Sequence, residues 1–113
     1  MLKEIDIGHG NSGAINIERA IMVLSESISK EKTNQKTVAI KIIHGHGSGA
    51  LKRAVRGFLL EERGRFRTVV FGENYTMFSE DAVQIYNAIK ESNPGFQDRD
   101  FQNGNSGMTI ILL

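Results

Sequence analysis

The chain contains no cysteine, no tryptophan and one proline in 113 residues. Without cysteine there is no disulfide framework, no thiolate zinc site and no cysteine nucleophile, so packing alone must hold the fold. No apolar run approaches membrane-spanning length. Residues 1–6 carry no signal-peptide pattern, which points to the cytoplasm. An excess of one charge sign is also missing: 14 basic against 13 acidic residues give a net charge of +1. The molecule as a whole is therefore not an obvious polyanion binder. Aromatics make up 7% of the chain, so platforms for stacking on unpaired bases are few. Phe66, Tyr75 and Phe78 are the candidates, whereas Phe58 and Phe71 fall in core-like patterns.

What is present is an ordinary globular composition, 40% apolar and 24% charged, long enough for one domain spanning residues 1–113. Met1 and the immediate start of a strand point to a stand-alone chain. The most informative stretch is 38–60. A β-branched run ends at His44, then Gly45, Gly47 and Gly49 occupy every second position, and a basic amphipathic pattern begins near Ser48. A strand, a glycine-rich turn and a helix N-terminus in that order bring backbone N–H groups to the positive end of a helix dipole, a common seat for phosphate. The glycines serve the tight turn whatever it binds. His44, His46, Lys52, Arg53 and Arg56 are the side chains at hand. Between residues 52 and 67 six basic residues face only Glu61 and Glu62, a local basic surface in a near-neutral protein.

Periodicity supplies the frame. Residues 1–7 alternate as a half-buried strand, and 8–13 form a Gly/Asn/Ser loop. Ile17, Ala20, Ile21, Leu24 and Ile28 mark a helix over 16–31. Residues 37–43 read as a buried central strand with Lys41 as the exception. Leu51, Ala54, Val55, Phe58 and Leu59 mark a helix over 48–62, with Gly64 placed to end it. A strand over 68–71 follows, then a helix over 79–91 capped by Ser79 and stopped at Asn93-Pro94-Gly95. After a polar loop over 97–107, an apolar strand closes the chain at 108–113. The order β-α-β-α-β-(α)-β implies a two-layer α/β sandwich with a four-stranded mixed sheet. If the first two strands are parallel neighbours, Asp6, His9, His44 and His46 share the carboxyl edge, where ligands of such sheets gather.

Each candidate has a plainer reading. Asp6 serves as a metal ligand or general base, or merely caps a turn. His44 and His46 bind phosphate or move a proton, and His-x-His with His9 also admits a metal site. His44, at the strand end, equally well hydrogen-bonds a neighbouring loop. Gly45-x-Gly47-x-x-Ala50 formally matches a dinucleotide fingerprint with Glu73 as the ribose acid, but the chain is too short for the second half of such a sheet. The P-loop is excluded because Ala50 and Leu51 follow Gly49 where Lys-Ser/Thr is required.

Three blocks together resemble one family. Residues 43–55, Ile-His-Gly-His-Gly-Ser-Gly-Ala-Leu-Lys-Arg-Ala-Val, resemble the HGxGxGxL(R/K)xxV signature of the Smr (small MutS-related) domain. Ile5-Asp-Ile-Gly-His-Gly resembles its N-terminal LDLHG motif, and Gly104-Asn-Ser-Gly-Met-Thr-Ile-Ile-Leu its C-terminal GGxGATxVxL ending. The resemblance implies an α/β sandwich similar to the C-terminal domain of translation initiation factor three. It also implies binding of DNA or RNA through backbone contacts, with endonuclease or nicking activity. Asp6 maps to the proposed catalytic acid, and His44, Gly45 and Gly47 map to the proposed nucleic-acid contact. The chain departs from the pattern twice. The motif histidine falls at Gly8, with His9 one residue late, and the helix over 79–91 is extra.

These readings combine into a set of expectations. Asp6, His9 and His46 form a catalytic group; His44, Gly45, Gly47, Ser48, Gly49, Lys52, Arg53 and Arg56 hold phosphates. A divalent metal, magnesium or manganese, is admitted without a defined ligand set. Two alternatives stand beside the endonuclease: a non-catalytic module for structured nucleic acid, and a small nucleotide-binding domain.

Overall fold

In the computed structural model, which describes residues 1–8, 16–47 and 49–113, the elements follow the expected order. They are β1 (Leu2–Asp6), α1 (Ile17–Lys32), β2 (Ala39–Ile43), α2 (Ala50–Glu61), β3 (Thr68–Phe71), α3 (Glu80–Ser92), α4 (Arg99–Asn103) and β4 (Met108–Leu112). Single 3-10 turns follow α2 at Arg63–Arg65 and β3 at Gly72–Asn74. The sheet order is β1-β2-β4-β3. β1 lies parallel to β2 with Asp6 opposite Ile43, and β4 runs antiparallel to both β2 and β3. β1, β2 and β3 therefore all point the same way, and their carboxyl ends meet the start of β4 along one edge.

Side chains alternate across the sheet. Ile40 and Ile42 of β2 and Ile111 of β4 pack with Leu24 and Ile28 of α1 and Val55 and Leu59 of α2. Ala39 of β2 and Met108, Ile110 and Leu112 of β4 pack with Ala82, Ile85 and Ile89 of α3 on the other side. The two-layer arrangement thus becomes helix, sheet, helix where α3 covers the second face. Without α3 the alternate residues of β2 and β4 would face water, which explains why all five residues of β4 are buried.

Local chemistry accounts for most boundaries. Asn16 caps α1 by accepting from the Arg19 N–H at 3.1 Å, and Ser79 caps α3 by accepting from Ala82 N–H at 3.3 Å. Two details differ from the sequence reading. Gly64 lies inside the 3-10 turn and has no positive φ, so α2 ends instead at Glu62, whose N–H bonds to the Phe58 carbonyl. The polar stretch after Pro94 contains α4, a single helical turn capped by Asp98.

The exceptional Lys41 is buried on the α3 side of β2, where its ammonium meets Asp98 at 2.7 Å and Asp100 at 3.0 Å. Burial, the largest single influence, pulls its pKa down. The hydrogen bonds and charges of Asp98 and Asp100 together outweigh that and hold it above the usual lysine value. This triad anchors α4 to the sheet together with Phe101, whose ring stacks on Tyr86 at 4.2 Å. Among the described residues, no helix is long and apolar enough to cross a membrane.

Candidate nucleic-acid interface

The edge where β1, β2 and β3 end is built in two depths. The inner depth begins with the backbone of the turn after β2. Gly45, Gly47 and Gly49 adopt φ of 71°, 40° and 84°, a region that strains any residue with a Cβ. The N–H groups of His44 and Gly45 both donate to the Gly107 carbonyl, at 3.1 and 2.8 Å, tying the turn to the segment before β4. The Gly49 N–H donates to the His46 carbonyl at 2.9 Å. Two glycine amides expected to face a ligand are therefore spent within the fold, one on Gly107 and one inside the turn.

His44 is 3% exposed. Its Nδ1 lies 2.9 Å from the Gly45 carbonyl and its Nε2 3.0 Å from Thr109 Oγ1. Arg56 Nε donates to the same Thr109 oxygen at 3.1 Å. A guanidinium only donates, a carbonyl only accepts, and burial disfavours the charged imidazolium, so the direction of the chain follows for the neutral ring. Arg56 donates to Thr109, Thr109 donates to His44 Nε2, and His44 Nδ1–H donates to Gly45. This arrangement suits the neutral imidazole. Burial pushes its pKa below the ordinary value; the Gly45 bond opposes that, and the charges of Arg56 and Lys52 add to it.

The sequence groups Arg56 with Lys52 and Arg53 as a phosphate contact, but its guanidinium turns inward. It makes a bidentate pair with Glu73, Nη1 to Oε2 at 2.9 Å and Nη2 to Oε1 at 2.6 Å. Nη2 also donates to the Met108 carbonyl at 3.2 Å, and the group stacks 4.2 Å from the Phe71 ring centroid. Glu73, read from sequence as a ribose acid, is Arg56's counter-ion. Its hydrogen bonds from Arg56 hold its carboxyl below the usual range. Gly72 before it is obligatory, since a Cβ there would lie 1.8 Å from the Asn105 carbonyl oxygen.

The outer depth faces solvent. Asp6, exposed at the end of β1, accepts from the Gly8 N–H at 3.0 Å. Gly8 packs against His44 so closely that a Cβ would lie 2.7 Å from the His44 carbonyl carbon. A histidine at that position would displace the turn, which gives the departure from the motif a local cause. His46 is exposed, with Nδ1 3.3 Å from Ser106 Oγ and its ring resting over Gly107. Arg53 is exposed, and its guanidinium folds back over Gly49. Lys52 is partly exposed beside it. Arg65, part of the basic run, bonds to Ser25 and Ser29 of α1 and holds the helix pair together. His9 and Ser48 lie outside the described residues.

The electrostatics of α2 set it apart. α1, α3 and α4 each carry acid in the first turn: Glu18, Glu80 with Asp81, and Asp100. α2 has none there, and its N-cap Gly49 makes no side-chain cap bond. Lys52 and Arg53 occupy its opening turn, adding positive charge to the positive end of the dipole. That arrangement favours negative charge nearby. Among the described residues, no three His, Asp or Glu side chains converge to hold a metal ion.

Sequence reasoning missed Thr109 and the inward turn of Arg56. The one available signal was the position of Arg56 at the border of the α2 apolar stripe.

No curated protein matches the chain. The crystal structure of the Smr domain of Thermus thermophilus MutS2 superposes with a TM-score of 0.59 at 16% identity, covering 98% of this chain and 96% of that one. That likeness establishes the fold over nearly the whole length. At the level of sequence, the Smr domain family model matches residues 13–72, which hold α1, β2, the glycine turn, α2 and β3. With both the turn and the sheet accounted for, the chain belongs to the Smr domain family.

Proposed function

We propose that this chain binds DNA or RNA through the phosphate backbone at the β2–α2 edge and nicks the bound strand there. The observation that carries the binding is the N-terminus of α2, which has no acid in its first turn and places Lys52 and Arg53 around a turn of three positive-φ glycines. Asp6 ends the neighbouring parallel strand, with Asp6 and Ile43 in register. In this reading Asp6 takes the proton from an attacking water or 2′-hydroxyl, and His46 exchanges a proton with the leaving oxygen. Both proton transfers are assigned to side chains in this reading. The sheet and the four helices among the described residues are read as one Smr domain over residues 1–113, α3 being the addition.

A second reading has its own support. Asp6 already accepts from Gly8 N–H, and Gly8 stands where the motif histidine would be. On that reading the edge binds structured nucleic acid without cutting it. Cleavage of supercoiled plasmid and of a labelled stem-loop RNA by wild type and Asp6→Ala decides between them. Scission by wild type, reduced on the order of a hundredfold or more in the variant with binding retained, supports the nickase. Salt-sensitive binding without scission by either protein, with magnesium, manganese or EDTA, selects the binding module.

A further inference from the structure

Three aromatics are candidates for stacking on bases, and the fold separates them. Phe66 is 7% exposed and Tyr75 fully buried, whereas Phe78 is 92% exposed with Met77 beside it at 68%. The position of Phe78 follows from topology. β3 runs parallel to β1 and β2, so the chain leaving β3 emerges at the same edge as the glycine turn. α3 agrees with this: its far end, Ser92, accepts from the Met1 amine at the opposite edge, so its start, next to Phe78, lies at the ligand edge. One strand separates the exits of β2 and β3, which places them on the order of 10 Å apart.

Phe78 is presented by a hydrogen-bonded loop. The Thr76 N–H donates to the Asn74 carbonyl at 2.9 Å, the Phe78 N–H to Thr76 Oγ1 at 3.3 Å, and the Ser79 N–H to the Thr76 carbonyl at 3.2 Å. Tyr75 anchors the loop in the core, edge-on to Phe101 at 5.3 Å. An ordered aromatic turned fully to water forgoes the burial its ring would otherwise gain. The local charge favours one occupant. Glu80 and Asp81 in the adjoining turn of α3 repel phosphate, while Lys52 and Arg53 across the edge attract it. A strand laid on the glycine turn would keep its phosphates there and offer a base to the ring.

We infer that Phe78, flanked by Met77, is a stacking platform for an unpaired base, so that the favoured partner is single-stranded or looped nucleic acid rather than uniform duplex. This rests on the nucleic-acid reading above. The chain has no tryptophan, so Phe78→Trp installs its only indole at a site where the fold is not at stake. The probes are a single-stranded oligonucleotide, a hairpin with an unpaired loop and a blunt duplex, in RNA and DNA. Quenching of the indole by the first two and not the third is expected. Phe78→Ala should weaken single-strand binding on the order of tenfold while leaving the salt slope and duplex affinity as in wild type. Unchanged single-strand affinity in Phe78→Ala, with Lys52→Ala and Arg53→Ala still weakened, overturns the stacking and leaves the backbone interface standing. Absence of binding by wild type to every probe at low salt removes the nucleic-acid reading itself. A change in sedimentation of Phe78→Ala without a change in binding makes the ring an interface between protein copies and likewise overturns the inference.

Discussion

His44 and His46 are two residues apart, yet they belong to different regions of the edge. The inner region, His44, Thr109, Arg56 and Glu73, is a closed chain of donors and acceptors in which each partner's direction is dictated by the next. The outer region, Asp6, His46, Lys52 and Arg53, faces solvent. Both consist of residue types that suggest chemistry. A polar group whose bonding is completed by its own fold supports a site, while one exposed at the surface can meet a ligand. Arg56 and Arg53 make the contrast within one helix: one guanidinium is paired with Glu73, the other folds over the mouth of the turn.

The sharpest way to break this distinction is Arg56→Ala. It strands Glu73, removes the donor to Thr109 and opens space beside Phe71. A loss of about 2–3 kcal/mol is expected, below that for a fully buried pair because the Glu73 side chain is 44% exposed. Urea denaturation measures it, and a double variant with Glu73→Ala should cost less than the sum of the two singles. A stability unchanged by Arg56→Ala would dissolve the inner region as a unit.

Acid probes the same region more gently. Burial, followed by the charges of Arg56 and Lys52, places the folded-state pKa of His44 below its unfolded value of about 6.5. The unfolded chain then takes up the proton first. Stability is full above about pH 6.5 and is lost as pH falls through the depressed folded value. Glu73, whose folded pKa is also depressed, through hydrogen bonds from Arg56, contributes above its unfolded value of about 4.5 and loses that contribution at lower pH. Thermal melts across these two windows should show both slopes, and His44→Gln should flatten only the upper one.

Changes in the outer region should scarcely register in stability. Lys52→Ala and Arg53→Ala each remove a cation from the wrong end of a helix dipole, so melting temperature should stay level or rise by a few tenths of a kcal/mol equivalent. Each should nevertheless lower the salt slope of duplex binding by about one unit. A marked loss of stability in either variant would place that side chain with the inner region instead.

Much of this was legible in residue order. The strand over 68–71 and the Ser79 cap follow from local rules, because a cap or an apolar alternation acts within a few residues. α4 was not legible: one turn held by Asp98 and Asp100 against Lys41, 57 and 59 residues away in sequence, leaves no periodic trace. The candidate site divides in the same manner. Glycines at 45, 47 and 49 announced the turn, and their positive φ values are the conformations that residue type permits. Nothing local signalled that Arg56 would turn inward to Glu73, or which of Phe66, Tyr75 and Phe78 would face water, since both depend on what the distant chain brings alongside.

Residue order was enough for the longer elements, the glycine turn and the family motifs, all written in spacings of a few residues. Tertiary structure alone decided which polar groups were completed and which were left facing solvent. Thr109 and Glu73 reach Arg56 only because β4 enters the sheet between β2 and β3. Burial and hydrogen-bond satisfaction are properties of the assembled neighbourhood, and they divided one row of histidines and arginines into scaffold and surface.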